Sequence, residues 1–353
     1  MPKLLFTPTR LGDLDLANRI VMAPMTRNRA DPDGTPNALM AEHYAQRAGA
    51  GLIVAEGSWP SPAGQAYSRQ PGICTEAHAE GWRAVTDAVH ARGGRIVLQL
   101  MHAGRIGSHH IKPAGVETVS ASALTAQGEI WTDAAGMQPF DTPRALDTDE
   151  VRAVVAEHAQ AAALAVRAGF DGVELHGTSG YLAMQFLSSA TNLRSDCYGG
   201  AAAARARFAV ECLQAMGAAI GAGRVGLRLN PGNTYNDTAD EDSAATHAEL
   251  MRQASLLGLA YLHVMRSPVA GIDAFALARE HFAGPLILND GFDGPSAEAA
   301  LQAGQGEAVS FARHFIANPD LPERLRQGQP LARFDRRTLY TAGVAGYTDY
   351  PPG

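Results

Sequence analysis

Eight short apolar runs recur along this chain, and nearly all of them are followed by a polar or glycine-containing segment and then by an alanine-rich, helix-like segment. The runs are continuously apolar rather than alternating, which is typical of strands that are buried on both faces. Such strands occur in parallel sheets whose two faces are covered by helices. The eight runs are residues 20–24, 52–57, 95–100, 172–176, 225–230, 261–264, 285–289 and 308–311.

The segments between the runs carry helix signals. Gly93-Gly94 and Gly169 are stop signals for two of them, and Pro295 stands near the first turn of another. Strands that alternate with helices eight times in one chain predict an α/β fold, a (β/α)₈ TIM barrel. A doubly wound open sheet is the alternative, which the lack of a glycine-rich dinucleotide signature disfavours. The predicted helices cover residues 37–48, 76–92, 148–168, 201–220 and 242–257, and one more begins at Ala297.

The chain length of 353 residues fits one barrel with additions, so we expect a single domain over residues 1–353. Residues 103–146 join the third strand to its helix, and this connection is longer than is usual in compact domains. We interpret it as a lid or subdomain over the barrel mouth. Residues 331–353 follow the barrel, and their three tyrosines predict an ordered tail that folds back on the protein.

Composition and charge exclude several classes of function. The net charge is −7 and no run of Lys and Arg occurs, which argues against a nucleic-acid partner. No run of about 18 apolar residues exists, so we expect no membrane span, and we identify no signal peptide. Cys74, Cys197 and Cys212 are too scattered for a disulfide framework, a zinc site or an iron–sulfur cluster. They fit a reducing compartment, so we predict a cytoplasmic protein.

In a barrel, the residues that close the strands face one another across one mouth. Here they include no paired carboxylates, no metal-ligand spacing and no nucleophile elbow, which disfavours glycosidase, metalloenzyme and serine-hydrolase chemistry. They offer uncharged hydrogen-bond donors, two arginines and a tyrosine, which suits a polar, planar cofactor with a phosphate group. The residues are Thr26, Gly57, Gln99 with His102, His176 with Ser179 and Tyr181, Arg228, Asn289 with Gly291, and Arg313.

The loops after the seventh and eighth strands of a barrel often bind phosphate through backbone N–H groups. Gly291 follows the seventh predicted strand and allows a close approach of the backbone. Arg313 closes the eighth strand and can donate two hydrogen bonds to phosphate oxygens. The alternative is that Gly291 is only a turn residue and Arg313 a surface arginine.

Two polar residues interrupt apolar strands. Arg228 stands between two leucines and needs a charge partner when it is buried. That partner is either a carboxylate such as Glu174 or a cofactor that becomes anionic. Gln99, in the third run, likewise needs an amide or carbonyl partner.

Several motifs, taken in order along the chain, resemble those of the Old Yellow Enzyme family of FMN-dependent ene-reductases. The resemblance covers nearly the whole chain, and Thr26, where other members carry cysteine, indicates the classical branch of the family. A longer relative of the dienoyl-CoA reductase type is disfavoured, because the cysteines are too few for its iron–sulfur cluster. The motifs are Leu5-Phe6-Thr7-Pro8, residues 18–27, Gln99-Leu100 with His102-Ala103-Gly104-Arg105, residues 176–181, Gly199-Gly200, Arg228, residues 315–321 and residues 346–351.

The resemblance implies FMN, bound tightly but non-covalently at the barrel mouth, with NADPH or NADH as the hydride donor. It implies that Gln99 and Arg228 hold the pyrimidine edge of the flavin and that Thr26 contacts its C4 carbonyl. Arg228 would stabilise the charge of the reduced flavin. The remaining implied cofactor contacts are backbone contacts from Pro24, Met25 and Gly57, the strand-end residue Asn289, and Gly291, Ala312 and Arg313 at the phosphate.

The implied reaction reduces the C=C bond of activated alkenes: α,β-unsaturated ketones and aldehydes, imides and nitroalkenes. By resemblance, His176 and Ser179 hold the substrate oxygen, flavin N5 gives a hydride to the β-carbon, and Tyr181 gives a proton to the α-carbon. The partners are therefore small molecules, and we expect a monomer or homodimer without a metal. Tyr67, Met101 and Tyr340 are predicted to line the substrate pocket, with plain packing as the alternative.

Three residues depart from the family pattern. Ser179 stands where the family has Asn or a second His, so the oxygen anchor is predicted to be weaker, rotated or water-bridged. Met101 stands where many relatives have Trp, and Ala312 replaces a Gly near the phosphate. Ser179 motivates a second hypothesis with poor enone turnover: an NAD(P)H oxidase, a quinone or nitro-compound reductase, or a non-catalytic flavoprotein.

Overall fold

Within residues 3–352, which the computed structural model describes, the chain forms fourteen β-strands and ten α-helices. Met1, Pro2 and Gly353, at the ends of the predicted domain, lie outside the described residues. The strands are β1 Thr9–Leu11, β2 Leu14–Leu16, β3 Ile20–Met22, β4 Leu52–Ser58, β5 Ile96–Leu100, β6 Val119–Ser120, β7 Glu129–Thr132, β8 Gly136–Pro139, β9 Arg144–Ala145, β10 Gly172–Gly177, β11 Val225–Leu229, β12 Tyr261–Met265, β13 Leu286–Asn289 and β14 Ala308–Phe311. The helices are α1 Ala38–Gln46, α2 Glu76–His90, α3 Thr148–Arg167, α4 Leu182–Leu187, α5 Ala202–Ile220, α6 Ser243–Ser255, α7 Ala274–His281, α8 Gly294–Gln302, α9 Arg313–Ala317 and α10 Leu321–Gln327.

Eight of the strands close into a parallel barrel in the order β10-β11-β12-β13-β14-β3-β4-β5, and β5 pairs back to β10. These are the eight apolar runs of the sequence, so the (β/α)₈ prediction is confirmed. All residues of β4, β5, β11 and β13 are buried. Burial on both faces is why these runs show no alternation of apolar and polar residues.

The predicted helices exist, with shifted ends. α3 begins at Thr148, where Asp147 and Glu150 form a capping box. α8 begins at Gly294 rather than at the predicted Ala297, because Asp293 caps it through the Ser296 N–H. Four helices, α4, α7, α9 and α10, were not predicted, and α4 occupies the segment directly after Tyr181.

An unpredicted hairpin closes the bottom of the barrel. The leucines of β1 and β2, among them Leu11 and Leu16, pack with the lower interior residues of the barrel, including Val54 and Tyr261. The hairpin turn lies so close to the barrel that a Cβ on Gly12 would stand 2.5 Å from the Ala260 Cα. The other end of the barrel therefore remains as the place for a site.

The long connection after β5 contains four short strands. β6 pairs with β9 in parallel, and β7 pairs with β8 as an antiparallel hairpin. Gln185 of α4 fixes the connection to the barrel mouth. Its Oε1 accepts hydrogen bonds from the Arg105 N–H and the Ser120 hydroxyl, and its Nε2 donates to the Ala103 carbonyl.

The C-terminal segment lies against the loop after β3. Tyr347 is fully buried, and its ring stacks on His43 with 3.8 Å between centroids. The guanidinium groups of Arg27 and Arg29 lie 5.2 and 4.9 Å from the same ring. Tyr340, in contrast, is 60% exposed. Among the described residues, no helix has the length and apolar character needed to span a membrane.

Candidate active site

The carboxyl ends of the barrel strands bring the predicted polar residues together. On neighbouring strands Glu174 lies opposite Gln99, and His176 lies opposite Arg228. Arg228 in turn lies opposite His263 of β12. The register thus places five polar side chains across four adjacent strands, β5 and β10 to β12.

A buried hydrogen-bond network links these strands. Gln99 Nε2 donates to Glu174 Oε1 at 2.8 Å, and the other carboxylate oxygen lies 2.8 Å from His263 Nδ1. His263 Nε2 lies 2.7 Å from the Ser310 hydroxyl. Burial alone would raise the Glu174 pKa, but His263 and Arg228 hold it below its ordinary value. Glu174 is therefore an anion whose direct partners are His263 and Gln99.

Sequence reasoning missed His263 and Ser310 and named Glu174 only as a partner of Arg228. All three are polar residues inside apolar runs, which is the signal that would have found them. All three are buried. Glu174 contacts Gln99 and His263, and Ser310 contacts His263.

Arg228 is buried without a carboxylate partner. Its Nη2 donates to Asn289 Oδ1 at 2.9 Å, and its Nη1 lies 3.5 Å from each ring nitrogen of His263. Within residues 3–352 it forms no ion pair, so the alternative of a direct pair with Glu174 is not what the structure shows. Burial lowers the Arg228 pKa. A buried guanidinium with free donors fits an anionic partner such as a reduced flavin.

The close approach at Gly57 has a structural cause. Ala55 pairs with Leu98 and Ser58 with Leu100, so β4 carries one extra residue, a bulge. A Cβ on Gly57 would stand 2.8 Å from the Met101 sulfur and 3.3 Å from Gln99 Oε1. The absence of a side chain leaves the backbone of Gly57 close to Gln99.

His176 is held as a neutral hydrogen-bond donor. The Thr178 N–H donates to its Nδ1 at 3.2 Å, which leaves the ring proton on Nε2. Burial, with the nearby Arg228 charge, lowers the His176 pKa to about 3. The imidazole therefore stays uncharged at any ordinary working pH. Its ring meets that of Tyr181 edge to face, with 4.9 Å between centroids.

The loop between His176 and Tyr181 is sharply turned. Ser179 has a φ of +58° and Gly180 a φ of +76°. The Ser179 hydroxyl lies 3.0 Å from that of Thr178, and Asn236 Nδ2 donates to the Ser179 carbonyl at 2.8 Å. The turn brings the Tyr181 hydroxyl within 2.7 Å of the Tyr67 hydroxyl.

A cavity of about 820 Å³ opens at this end of the barrel. Its volume falls in the range of small-molecule sites, roughly 300–1,000 Å³. Five predicted site residues line it: Thr26, Tyr67, Ser179, Tyr181 and Tyr340.

Residues 103–146 were predicted to lie over the mouth and Tyr340 to line the pocket, but the other residues of the outer wall of the cavity were not predicted individually. This wall comes from the β7–β8 hairpin, the loop after β11 and the C-terminal segment, and includes Trp131, Phe140, Tyr235 and Arg336. Met101, which was predicted to line the pocket, is 2% exposed and packs in a cluster with Tyr181, Ala103 and Ile106.

The loop after β13 and the start of α9 form an open, basic corner. Asp290 and Gly291 both have positive φ, +79° and +75°. An added Cβ on Gly291 would meet nothing nearer than Arg266 Nε at 3.6 Å. Arg313 is exposed, preceded by Ala312, and makes no hydrogen bond or ion pair within the described part of the chain. A free guanidinium beside an accessible backbone fits a phosphate.

Pro24, Met25 and His102 are the remaining predicted residues of the barrel mouth. Pro24 and Met25 are half-buried in the loop after β3, next to Thr26. His102 is buried and its Nδ1 accepts from the Gly104 N–H. Across residues 3–352, no group of three or more His, Cys, Asp or Glu side chains is placed to hold a metal ion.

Comparison with known proteins agrees with this geometry. A family model described as the NADH:flavin oxidoreductase / NADH oxidase family matches residues 4–332. A probable flavin mononucleotide-dependent alkene reductase of Leishmania infantum is 40% identical over 99% of this chain and 97% of its own. The 12-oxophytodienoate reductase 1 of Oryza sativa subsp. japonica is 39% identical over 98% of this chain and 92% of its own.

Solved structures show the same fold. Morphinone reductase in complex with tetrahydroNAD has a TM-score of 0.94 at 44% identity and covers 98% of this chain and 97% of that chain. The Old Yellow Enzyme homologue from Zymomonas mobilis has a TM-score of 0.95 at 38% identity and covers 98% and 99% of the two chains. With a family model over nearly the whole chain and relatives above one third identity, the chain belongs to the NADH:flavin oxidoreductase / NADH oxidase family, the family of Old Yellow Enzyme.

Proposed function

We propose that this enzyme is an FMN-dependent ene-reductase that uses NADPH or NADH to reduce the C=C bond of activated alkenes. The observation that carries the proposal is the pairing of a neutral His176 donor with the Tyr181 phenol at one end of the barrel. One group can polarise an oxygen and the other can supply a proton. Relatives with names such as alkene reductase and 12-oxophytodienoate reductase support it.

The donor set described above fits FMN, so its residues receive these roles. When bound, FMN supplies the hydride, which it takes from the reduced nicotinamide and gives to the β-carbon of the alkene. Gln99 and the Arg228 cation hold the pyrimidine edge, with Thr26, Pro24, Met25, Gly57 and Asn289 as its neighbours. Gly291, Ala312 and Arg313 form the phosphate corner.

His176 binds the substrate oxygen. Its Nε2–H donates to the carbonyl or nitro oxygen, where negative charge grows as the β-carbon gains a hydride. Because the pKa of about 3 keeps the ring neutral, this donor is available across the working pH range. The Ser179 hydroxyl, which lines the cavity, is the second donor.

Tyr181 supplies the proton. Its O–H bond breaks as the α-carbon gains hydrogen, so hydride and proton together saturate the C=C bond. Tyr67 and Tyr340 line the substrate cavity with Tyr181, and Met101 supports the Tyr181 ring from the buried side.

The test is an anaerobic stopped-flow experiment with the FMN-loaded protein. NADPH is expected to bleach the flavin absorbance near 450–460 nm, and 2-cyclohexenone is expected to restore it. Tyr181→Phe should slow the return of colour and leave bleaching unchanged, because only the second half-reaction consumes its proton. Equal loss of both half-reactions in this variant would contradict the assigned role.

A second candidate function rests on Ser179. Its hydroxyl lies 3.0 Å from the Thr178 hydroxyl, and the side chain is shorter than an asparagine amide. If it fails to anchor the oxygen, the enzyme is an NAD(P)H oxidase or a quinone or nitro-compound reductase with poor enone turnover. Bleaching by NADPH without recovery on adding 2-cyclohexenone, but with recovery on adding a quinone, would support this alternative.

We further infer a single domain over residues 1–353, located in the cytoplasm as a monomer or homodimer. The three cysteines are free thiols, which suits a reducing compartment. The connection at 103–146 and the tail at 331–353 are assigned as the walls of the substrate cavity. Size-exclusion chromatography with light scattering measures the oligomeric state.

A further inference from the structure

Two tyrosine hydroxyls share one hydrogen bond in the wall of the cavity. The Tyr67 and Tyr181 oxygens are 2.7 Å apart, a full-strength O–H···O distance. Among residues 3–352, neither hydroxyl has a second hydrogen-bond partner. Each phenol has one proton, so one hydroxyl donates to the other, and the proton of the accepting hydroxyl stays free for a ligand.

The chemistry of the site decides which hydroxyl donates. Tyr181 can protonate an α-carbon only if its own proton is free, and its oxygen then accepts from Tyr67. In this arrangement the Tyr67 hydroxyl donates to the Tyr181 oxygen. Tyr67 is half-buried and lines the cavity, so solvent that fills the cavity can reach it.

Tyr181 needs such help because a charge on its oxygen would be poorly solvated. The residue is 8% exposed and packs among apolar side chains that include Met101, Ile106 and Ala126. Burial raises both pKa values, that of Tyr67 to about 12, while the shared hydrogen bond raises the pKa of Tyr181 further and lowers that of Tyr67. A phenolate on Tyr181 is therefore costly in this apolar setting, and a proton taken from Tyr67 neutralises it.

A buried glutamine fixes Tyr67 in this place. Gln70 Oε1 accepts from the N–H groups of Ala66 and Tyr67 at 2.9 and 3.2 Å, and Gln70 Nε2 donates to the Gly57 carbonyl at 2.7 Å. Gln70 is fully buried. The loop that carries Tyr67 is therefore tied to the bulge of β4, on the rigid wall of the barrel.

We propose that Tyr67 is a positioning residue that supplies the proton of the reaction through Tyr181. As the Tyr181 O–H bond breaks and the α-carbon–hydrogen bond forms, the Tyr67 proton moves to the Tyr181 oxygen. Tyr67 regains a proton from solvent water in the cavity, so one solvent proton enters each product molecule. This inference rests on the proposed ene-reductase function.

The test compares two oxidants of the NADPH-reduced, FMN-loaded enzyme. Reoxidation by 2-cyclohexenone needs a proton on carbon, whereas menadione takes its protons on oxygen and needs none from Tyr181. Tyr67→Phe is expected to slow the limiting rate with 2-cyclohexenone about tenfold to a hundredfold, the equivalent of one hydrogen bond to a charged group. The rate with menadione is expected to stay within about twofold of wild type.

Three further readouts separate this role from a structural one. The solvent deuterium isotope effect should rise in Tyr67→Phe, because the proton step becomes slower. Tyr67→Phe added to Tyr181→Phe should slow the reaction no further, because Tyr67 acts only through Tyr181. Tyr198→Phe, which removes a buried hydroxyl that donates to Glu211 at 2.7 Å, is the matched control and should react at wild-type rates.

The outcomes that contradict the role of Tyr67 differ from the outcome that contradicts the ene-reductase function. An unchanged rate with 2-cyclohexenone, an equal loss with both oxidants, or a raised KM at an unchanged limiting rate would overturn the role of Tyr67. If the wild-type enzyme is not reoxidised by 2-cyclohexenone but is by menadione, the ene-reductase proposal itself fails.

Discussion

At the residue scale, Arg228 places a buried positive charge without an ion pair at the carboxyl ends of the barrel strands, among the described residues. Arg228 is 6% exposed, and its guanidinium contacts the Asn289 amide and the His263 ring. The carboxylate of Glu174, which belongs to the same network, forms its hydrogen bonds with His263 and Gln99. The strands thus hold an anion and a cation apart and leave the cation available at the mouth.

We predict that Arg228→Ala weakens FMN binding about tenfold to a hundredfold, because one charge-assisted hydrogen bond contributes about 1.5–3 kcal/mol. The dissociation constant of FMN is measured by titrating the apoprotein with FMN and monitoring the quenching of flavin fluorescence. Arg224→Ala is the control, because Arg224 directly precedes β11, at the end of the strand opposite the mouth, and donates to the Asp171 and Phe170 carbonyls. Wild-type affinity in Arg228→Ala would contradict the role.

Ser179 combines a strained backbone with a short donor. Its φ of +58° lies in the left-handed region, which asparagine tolerates better than serine does. We predict that Ser179→Asn keeps FMN and raises kcat/KM for 2-cyclohexenone, since the amide reaches further into the cavity. Ser179→Ala, which removes the donor, should lower it. If both variants match a negligible wild-type rate while flavin stays bound, the flavoprotein with poor enone turnover is the better description.

At the scale of elements, the C-terminal segment builds part of the site from a distance. Arg29 donates to the carbonyls of Thr338 and Leu339 at 2.7 Å each, and Tyr347 is enclosed by arginines and His43. Residues between these two anchors, including Tyr340, line the cavity. The segment that carries Thr26 and the segment that carries Tyr340 are therefore fixed to each other.

We predict that Tyr347→Ala destabilises the protein by about 3–5 kcal/mol, as truncation of a fully buried aromatic ring does. With an unfolding entropy of about 2.1 cal/mol/K per residue, this lowers Tm by about 4–7 °C. Because the cavity wall loosens, KM for the alkene should rise as well. Val344→Ala, at a 58% exposed position of the same segment, is the control and should leave both values unchanged. Equal changes of Tm and KM in Tyr347→Ala and Val344→Ala would show that Tyr347 does not fix the C-terminal segment in place.

At the scale of the whole molecule, the buried histidines make stability depend on pH. Burial lowers the pKa of each, that of His158 to about 4 and that of His176 to about 3. In the unfolded chain these histidines bind protons near pH 6.5, whereas in the folded state they remain neutral to lower pH. The unfolded state therefore binds more protons as pH falls, which lowers the free energy of unfolding. Burial raises the pKa of Glu56 and Glu157, which acts in the opposite direction. The histidines with a lowered pKa include His43, His102, His158, His176, His247 and His263.

We predict that the free energy of unfolding falls between pH 7 and pH 5. His158 and His176 each contribute a loss of about 2 kcal/mol at pH 5, from about 1.4 kcal/mol per pH unit below pH 6.5. Urea unfolding at the two pH values measures the change. In His158→Leu the loss should be about 2 kcal/mol smaller. Equal stability of the wild type at both values would contradict the prediction.

The sequence by itself determined the barrel and the floor of the site. Short, continuously apolar runs that alternate with helix-like segments indicate parallel strands with two buried faces, and the carboxyl ends of such strands lie at one edge. The positions of Gln99, His176 and Arg228 near the ends of their strands therefore predict that the three side chains lie together. The local sequence sets the position of each residue along its strand, and closure of the barrel sets which strands are neighbours.

Only the tertiary structure decided what lies above that floor. The pairing of Tyr67 with Tyr181, the union of Glu174 with His263 rather than Arg228, and the wall that includes Trp131 join segments far apart in the chain. No local period encodes such contacts, because they depend on how the connection after β5 and the C-terminal segment pack on the mouth. Burial, together with the Arg228 charge, lowers the pKa of His176, and burial with the shared hydrogen bond shifts the pKa values of the tyrosine pair. These effects depend on neighbours from distant parts of the chain.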